Sequence, residues 1–354
     1  MTLTESVLNG DRLALARLLT QVENLTADGR LALAALFPHS GKAHLIGVTG
    51  APGTGKSTLV NRLALYYRTK QRRVAVVAVD PSSPFTGGAV LGDRVRMKDL
   101  SGDSGVFIRS MASRGSLGGL AQATAGIVQV FDAAGYEIIL IETVGAGQGE
   151  VDIARLAHTT LVVEAPGLGD DIQAIKAGIL EIADILVINK ADRPGVENTE
   201  KALKSVLDLA HPVPHVYLHH GRQITAPSPA SDKEETAPES VWIPPIQKTV
   251  STDGTGIPEL AARIDQHAEY LRSTGGWAAR DQARLERELE LILQQTLIDQ
   301  FHARQPESRY NEILQQVFSR SISPWEAAAV LTNADGPDPE GRDGGDASHP
   351  GRKQ

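Results

Sequence analysis

The sequence predicts a doubly wound α/β domain: a mainly parallel sheet flanked by helices, with helical extensions before and after it. Short apolar runs rich in β-branched residues recur along the chain, as expected for strands that are buried on both faces. These runs lie at residues 44–49, 74–79, 138–141, 161–163 and 185–188. Segments with helical spacing, such as 117–134 and 169–183, separate them. Strands that alternate with helices in this way build a parallel sheet covered by helices on both faces.

The composition excludes several classes of function. The 354-residue chain has a formal net charge of −8, which argues against a general nucleic-acid binder. It has no cysteine, so disulfides and thiolate metal sites are excluded, and a reducing compartment is compatible with this. No apolar run reaches transmembrane length, and the N-terminus lacks the basic and then apolar pattern of a signal peptide. We expect a soluble, cytoplasmic protein.

A glycine-rich segment follows the first predicted strand. Residues 50–57, GAPGTGKS, fit G-x-x-x-x-G-K-[ST], the P-loop pattern that cradles phosphates between a strand and a helix. Its glycines let backbone N–H groups turn toward one point, and the helix N-terminus attracts anions. We expect Lys56 to reach the β- and γ-phosphates and Ser57 to hold Mg²⁺. The other candidate phosphate-binding residues are Gly53, Thr54, Gly55 and Thr58.

Carboxylates near further strand ends form the predicted catalytic and metal-binding group. Asp80 and Glu142 each end a strand, and Asp93 lies in a glycine-rich segment suited to a loop that rearranges around Mg²⁺ and the γ-phosphate. The carboxyl ends of parallel strands meet at one edge of a sheet. We therefore expect Asp80, Asp93 and Glu142 to join Ser57 around Mg²⁺, with Asp93 and Glu142 joining Lys56 as catalytic residues. An N-cap or turn role is the structural alternative for each aspartate.

The second decisive motif is N-K-x-D at residues 189–192, directly after a predicted strand. The Asp192 carboxylate can accept from N1–H and from the exocyclic amine of guanine, a donor pair that adenine lacks. A charge-assisted bond of this type contributes about 1.5–3 kcal/mol. Asn189 and Lys190 brace the base and the phosphate loop. The turn near Ser251, after the last predicted strand, is suited to donate from its backbone to guanine O6. GTP or GDP is the predicted nucleotide.

Weaker signals leave alternatives open. Gly145 would let the backbone approach the γ-phosphate, and Gln148 lies near the point where some GTPases orient water, at a different offset. Arg114 precedes a predicted helix and suits a phosphate, a partner or no ligand at all. Four histidines at residues 211–220 suit a metal, but a strand at 215–218 that leaves the core is the favoured interpretation. Residues 221–240 have the composition of a flexible excursion.

Four segments organise the chain. We expect an N-terminal helical extension at 1–41, a P-loop domain at 42–273, a C-terminal helical dimerisation region at 274–333 and a disordered tail at 334–354. Asn9, Gly10 and Asp11 indicate a break and an N-cap between two N-terminal helices. In the C-terminal region, leucines and one phenylalanine recur every four residues, a narrow stripe that packs against a helix either of a second copy, the favoured interpretation, or of its own domain. These residues are Leu285, Leu289, Leu293, Leu297 and Phe301.

Together the motifs resemble the methylmalonyl-CoA mutase-associated GTPases, also described as arginine/ornithine transport ATPases or kinases. The resemblance covers residues 10–332. Its most specific blocks are residues 79–84, 91–93, 142–145 with Gln148, and 171–178. It implies a GTP-hydrolysing chaperone of an adenosylcobalamin-dependent acyl-CoA mutase, which gates cofactor delivery and protects or reactivates the mutase.

The resemblance also implies residue roles. The loop at 164–176 matches a third switch that signals the nucleotide state to the mutase, the positions of Asp80, Asp93 and Glu142 surround Mg²⁺ and the γ-phosphate, and the C-terminal helices form a homodimer. The sequence departs from the family at the guanine turn, where Val250 and Ser251 replace the commoner Ser-Ala.

These observations favour a Mg²⁺-dependent GTPase that switches a B12-dependent mutase, with slow intrinsic turnover that the partner accelerates. A transport-associated kinase is one alternative, and Asp192 argues against it because most kinases use ATP. A metallocentre-assembly GTPase is another, but such proteins usually carry Cys- or His-rich tracts. A nucleotide-sensing scaffold that does not hydrolyse GTP is the third.

Overall fold

The computed structural model describes residues 2–81, 98–100, 102–113, 117–143, 149–167, 182–210, 216–219, 222–225 and 241–332. Its contacts divide the chain into two units, Met1–Glu288 and Leu289–Gln354. The first unit holds the sheet and both nucleotide-binding motifs.

Three helices open the chain: α1 (Leu3–Leu8), α2 (Arg12–Glu23) and α3 (Ala27–Leu36). The Asp11 carboxylate caps α2, accepting from the N–H groups of Leu13 at 2.8 Å and Ala14 at 3.0 Å, as the sequence predicts. The apolar face of α2 packs onto one side of the central sheet. The N-terminal extension is thus part of the core.

Seven strands form one sheet, and all of its pairings are parallel. They are β1 (His44–Thr49), β2 (Val74–Pro81), β3 (Val106–Ser113), β4 (Ile138–Thr143), β5 (Thr159–Glu164), β6 (Ile185–Ile188) and, after a separate hairpin, β9 (Ile246–Lys248). The order across the sheet is β3-β2-β4-β1-β5-β6-β9. Strands β2 and β3 therefore lie on one side of the central pair β1 and β4, and β5, β6 and β9 lie on the other. This confirms the predicted doubly wound fold.

Helices cover both faces of the sheet because strand residues alternate between two apolar clusters. Leu45, Ala75 and Ile139 pack with α2 on one face, whereas Ile46, Val74 and Ile138 belong to the cluster on the other. Among the described residues, the other α-helices of this unit are α4 (Lys56–Thr69), α5 (Leu117–Ala133), α6 (Gly149–Leu156), α7 (Val196–Ala210) and α8 (Ile257–Ser273), followed by α9 (Gly276–Arg304), whose residues up to Glu288 belong to this unit.

The second unit contains the end of α9 together with α10 (Glu307–Phe318) and α11 (Pro324–Thr332). Phe301, Tyr310, Leu314 and Leu331 line an apolar groove of about 520 Å³ within it. Large apolar side chains along α9 are exposed by 40–63%; they are Leu289, Ile292, Leu293, Leu297 and Ile298. The predicted leucine stripe is therefore partly uncovered in a single chain.

Two sequence predictions differ from the structure. Strand β3 was not expected, and it occupies one edge of the sheet beside β2. Residues 222–225, expected in a flexible excursion, form strand β8 (Arg222–Thr225), which pairs antiparallel with β7 (Val216–His219). Hydrogen bonds to β7 satisfy backbone N–H and C=O groups of this segment. The composition of the segment does not show that it has a strand to pair with. The predicted helix at 169–183 and tail at 334–354 lie outside the described residues, apart from residues 182 and 183, of which 182 is in a turn and neither is helical.

Candidate functional site

The phosphate loop connects β1 to α4, and two of its glycines are required by close approaches. Gly50 has φ +136°, and a Cβ there would lie 2.1 Å from the carbonyl oxygen of Val163 on the neighbouring strand β5. Gly55 has φ +93°, and its Cβ would lie 2.5 Å from the side-chain nitrogen of Asn189. No side chain of the described residues caps α4 at Gly55, so its first N–H groups remain available to an anion.

Lys56, the first residue of α4, turns its ammonium back over the loop. The side chain is buried, and Nζ donates to the carbonyl oxygens of Gly50 at 2.7 Å and Ala51 at 3.0 Å. These contacts hold a positive charge beside the helix N-terminus. Of the two following hydroxyl residues, Ser57 is half-buried and Thr58 is exposed.

Asn189 joins the base-recognition motif to the phosphate loop. Its Nδ2 donates to the carbonyl oxygen of Thr54 at 2.8 Å, and its Oδ1 accepts from the Ser251 hydroxyl at 2.7 Å and the Ser251 N–H at 3.1 Å. Lys190 adds a second bond to the loop, from Nζ to the carbonyl oxygen of Gly53 at 2.5 Å. The N-K-x-D segment, the phosphate loop and the turn after β9 therefore form one hydrogen-bonded frame.

Asp192 lies exposed in the turn that follows Asn189 and Lys190. The N–H of Ala191 beside it donates to the carbonyl oxygen of Thr249 at 3.1 Å, which fixes this turn against the segment after β9. The predicted contacts of Asp192 and Ser251 with a guanine base remain predictions. The N–H of Ser251 already bonds to Asn189, so a donor to O6 must come from another peptide of the same turn.

Glu142 and two threonines place oxygen donors at the same edge of the sheet. Glu142 is fully buried near the end of β4, and the strand register pairs it with Val48 of β1 and Ala78 of β2. The hydroxyls of Thr49 and Thr143 are buried and have no hydrogen-bond partner among the described residues. Buried hydroxyls of this kind require a polar partner. Alternation along the strands places the side chains of Thr49 and Thr143 on the opposite face of the sheet from that of Glu142. The Glu142 carboxylate itself supplies hard oxygen ligands of the kind that Mg²⁺ prefers.

The remaining predicted metal and catalytic residues are only partly described. Asp80 lies on β2, two residues beyond Ala78, so its backbone is at the same edge as Glu142. Asp93 and Gly145 lie outside the described residues, and so do Gln148 and Arg114. The predicted histidine group is also largely outside them, apart from the backbone of His219 at the end of β7.

A family model described as "Methylmalonyl Co-A mutase-associated GTPase MeaB" matches residues 15–306, which include the phosphate loop, Glu142 and the N-K-x-D segment. The chain belongs to the MeaB family. Membership confirms the resemblance that the motifs predict and makes the chain a P-loop GTP hydrolase. In this MeaB family member, the phosphate loop and the N-K-x-D segment are thus joined by hydrogen bonds.

Relatives match between 77% and 93% of the length of this MeaB family member. A putative GTPase of Pyrococcus abyssi is 44% identical over 329 residues, covering 93% of this chain and 94% of the relative. The GTPase ArgK of Escherichia coli is 36% identical over 279 residues, covering 77% and 83% respectively. A crystal structure of an LAO/AO transport system kinase has a TM-score of 0.64 at 24% identity, covering 93% of this chain and 95% of that one, and shares the fold. No helix among the described residues is long and apolar enough to cross a bilayer.

Sequence reasoning missed residues that contact the site, among them Thr249, whose hydroxyl donates to Oδ1 of Asn189 at 3.2 Å, and Arg62. Arg62 on α4 bonds to the backbone of the turn after β9, 189 positions later in the chain. A single arginine inside an amphipathic helix carries no local signal of such a contact. The hydrogen bonds between Asn189 and Ser251 also do not follow from the sequence, although both residues are predicted nucleotide-binding residues.

Proposed function

We propose that the chain is a Mg²⁺-dependent GTPase that acts in the cytoplasm as a chaperone of an adenosylcobalamin-dependent acyl-CoA mutase. It would gate cofactor loading and protect or reactivate the mutase. Family membership supports the mutase partnership. The assignment of a guanine nucleotide rests on the contacts of the Asn189 side chain. It bonds to Thr54 of the phosphate loop and to Ser251 of the turn after β9, which we call the base turn.

The roles of the chain's own groups follow from phosphoryl-transfer chemistry, which needs positioning and charge neutralisation and no covalent protein intermediate. The ammonium of Lys56 and the N–H groups at the start of α4 bind the phosphate oxygens. The Ser57 hydroxyl and the carboxylates of Asp80, Asp93 and Glu142 would hold Mg²⁺. The metal, when bound, would supply charge neutralisation at the β- and γ-phosphates. Glu142, buried at the edge of the sheet, orients water.

The proposal includes a homodimer formed through the C-terminal helices. Leu293, Leu297 and Ile298 of α9 are exposed by 50–63%, and Trp325 at the start of α11 is exposed by 87%. An apolar surface of this extent on one helical unit is typical of an interface. A second copy of the same unit would cover it.

GTP hydrolysis by the purified full-length chain, with and without a B12-dependent acyl-CoA mutase, tests the function. We expect slow GTP turnover that the mutase accelerates, with no turnover of ATP and none in Lys56→Ala. Turnover that no acyl-CoA mutase changes would contradict the partnership and leave the GTPase. Transfer of labelled phosphate from GTP to another protein would instead favour a kinase.

Sedimentation equilibrium tests the dimer independently. We expect the wild-type chain to sediment as a dimer and the double variant Leu293→Glu, Leu297→Glu to sediment as a folded monomer. A control with Glu290→Gln on the same helix should remain a dimer. A wild-type monomer at micromolar concentration would refute the assembly without affecting the nucleotide assignment.

A further inference from the structure

The Arg62 side chain links α4, the helix after the phosphate loop, to the base turn through two hydrogen bonds, which together we call the strap. It lies on α4, six positions after Lys56. Its Nε donates to the carbonyl oxygen of Ser251 at 2.9 Å, and its Nη2 donates to the carbonyl oxygen of Thr252. Both acceptors are backbone carbonyls and not carboxylates. The contact therefore fixes the direction of two peptide groups in the turn.

The orientation of one carbonyl determines that of the next N–H. In a trans peptide the C=O of one residue and the N–H of the following residue point in opposite directions. The described residues contain no cis peptide bond. Because Arg62 holds the Ser251 carbonyl toward α4, the N–H of Thr252 must point away from α4.

Asn189 holds the same residue, Ser251, through the preceding peptide group and the side chain. Its Oδ1 accepts from both the N–H and the hydroxyl of Ser251, and Ser251 is buried. Ser251 is thus held on one side by the N-K-x-D segment and on the other by α4. Since its own N–H is used, the next donor along the turn is the N–H of Thr252.

We propose that Arg62 is a positioning residue for base selection, which orients the Thr252 N–H to donate to O6 of guanine. This inference rests on the proposed guanine nucleotide. Different groups of the protein would then recognise the two ends of the polar edge of guanine. Asp192 recognises N1–H and the 2-amino group, and the strap formed by Arg62 sets the donor for O6. A guanidinium is suited to this role because its rigid planar fork fixes the direction of two acceptors, whereas the donors of an ammonium rotate.

The test measures dissociation constants of the full-length chain for GDP and two analogues. The analogue 6-thio-GDP replaces O6 with sulfur, a weaker acceptor, whereas IDP lacks the 2-amino group. We expect Arg62→Ala to weaken GDP binding about threefold to tenfold, corresponding to the loss of one neutral hydrogen bond to the base. We also expect Arg62→Ala to reduce the preference for GDP over 6-thio-GDP, the ratio of the two dissociation constants, severalfold and to leave the preference for GDP over IDP unchanged. Asp192→Ala should reduce the preference for GDP over IDP and leave the preference for GDP over 6-thio-GDP unchanged.

Controls separate selection from simple stabilisation of the turn. Arg68→Ala removes a guanidinium from the same helix, where it binds Asp103, and should leave both preferences at the wild-type ratio. Arg62→Lys keeps the charge without the fork and should behave like Arg62→Ala, which serves if the alanine variant does not fold. An equal loss of affinity for all three nucleotides, or no loss, would overturn the proposal. A wild-type chain that binds ADP as tightly as GDP would instead refute the nucleotide assignment.

Discussion

Arg280 on α9 donates to both carboxylate oxygens of Asp184, with Nη1 2.8 Å from Oδ2 and Nη2 2.7 Å from Oδ1. The same carboxylate accepts from the N–H of Thr160 at 2.8 Å and lies 3.3 Å from Nε2 of His267. Burial opposes ionisation of Asp184, but the hydrogen bonds from Arg280 and His267 outweigh it and lower its pKa to about 2. One buried charge thus ties the starts of β5 and β6 to α8 and α9.

Asp184→Ala should therefore destabilise the first unit strongly. Removing the carboxylate leaves the N–H of Thr160 and the guanidinium of Arg280, which is 36% exposed, without their acceptor, which should cost about 1–3 kcal/mol. Urea denaturation gives this change in the free energy of unfolding. Glu200→Gln is the matched control, because Glu200 pairs with Lys204 and Lys248 at the surface and should change stability little. Equal effects of the two substitutions would contradict the importance of the buried pair.

Stability should fall as the pH drops below about 6.5. Burial lowers the pKa of His44 well below its usual value, and burial also lowers that of His158, against a smaller opposing effect of its bond to Asp281. The unfolded chain takes up protons at these sites that the folded chain does not, so the stabilisation is complete above pH 6.5 and decreases below it. Each histidine contributes a slope of up to about 1.4 kcal/mol per pH unit.

Urea titrations between pH 8 and pH 5 measure that slope. His44→Gln should flatten it, whereas His39→Gln, which changes an exposed histidine, should not. A free energy of unfolding that stays constant over this range in the wild-type chain would refute the prediction.

Two glycines of the phosphate loop should differ in their tolerance of alanine. A Cβ at Gly50 would meet the carbonyl oxygen of Val163 at 2.1 Å, whereas a Cβ at Gly53, with φ +81°, meets nothing within 4 Å. Gly53→Ala should cost about 1–2 kcal/mol from backbone strain alone. Gly50→Ala should cost more and abolish GDP binding, because β1 must move away from β5. Thermal unfolding and GDP titration check both variants, and similar losses would contradict this account.

Asp192→Ala should weaken GDP binding at least about tenfold, because a charge-assisted bond of about 1.5–3 kcal/mol is lost. Asp192 is exposed and makes no ion pair with the described residues, so the fold should be unaffected. Isothermal titration with GDP and ADP measures the change. Asp208→Ala, an exposed aspartate on α7, provides the control. Retention of wild-type GDP affinity in Asp192→Ala would refute guanine recognition by this residue.

The sequence predicted the parts of the fold that are recorded in local patterns. Strands β1, β4 and β6 are short apolar runs buried on both faces, and each lies where the run predicts it. Strand β3 was missed because it lies at the sheet edge, where Ile108, Arg109 and Ser110 are only half-buried. Its polar residues interrupt the continuous apolar run that identifies a central strand.

The same distinction applies to the site. The phosphate loop and the N-K-x-D segment are local motifs whose residue types follow from their chemistry. The contacts of Arg62 with Ser251 and of Asn189 with Thr54 join residues 189 and 135 positions apart. Such pairs depend on how the chain packs, and a single sequence does not record them.

The bonds of Asn189 to Thr54 and Ser251 also affect how the chain responds to its ligand concentration. The Asn189 side chain bonds to both the phosphate loop and the base turn, so local opening of one segment also weakens the hold on the other. A bound nucleotide that contacts both segments opposes the opening of each. A ligand that binds only the closed frame adds RT ln(1 + [L]/Kd) to its stability, about 2.7 kcal/mol at a hundredfold excess over Kd. Amide hydrogen exchange in these two distant segments should therefore slow in parallel as GDP is added. Through this linkage, the cell's guanine nucleotide level would set the lifetime of the folded site as well as its occupancy.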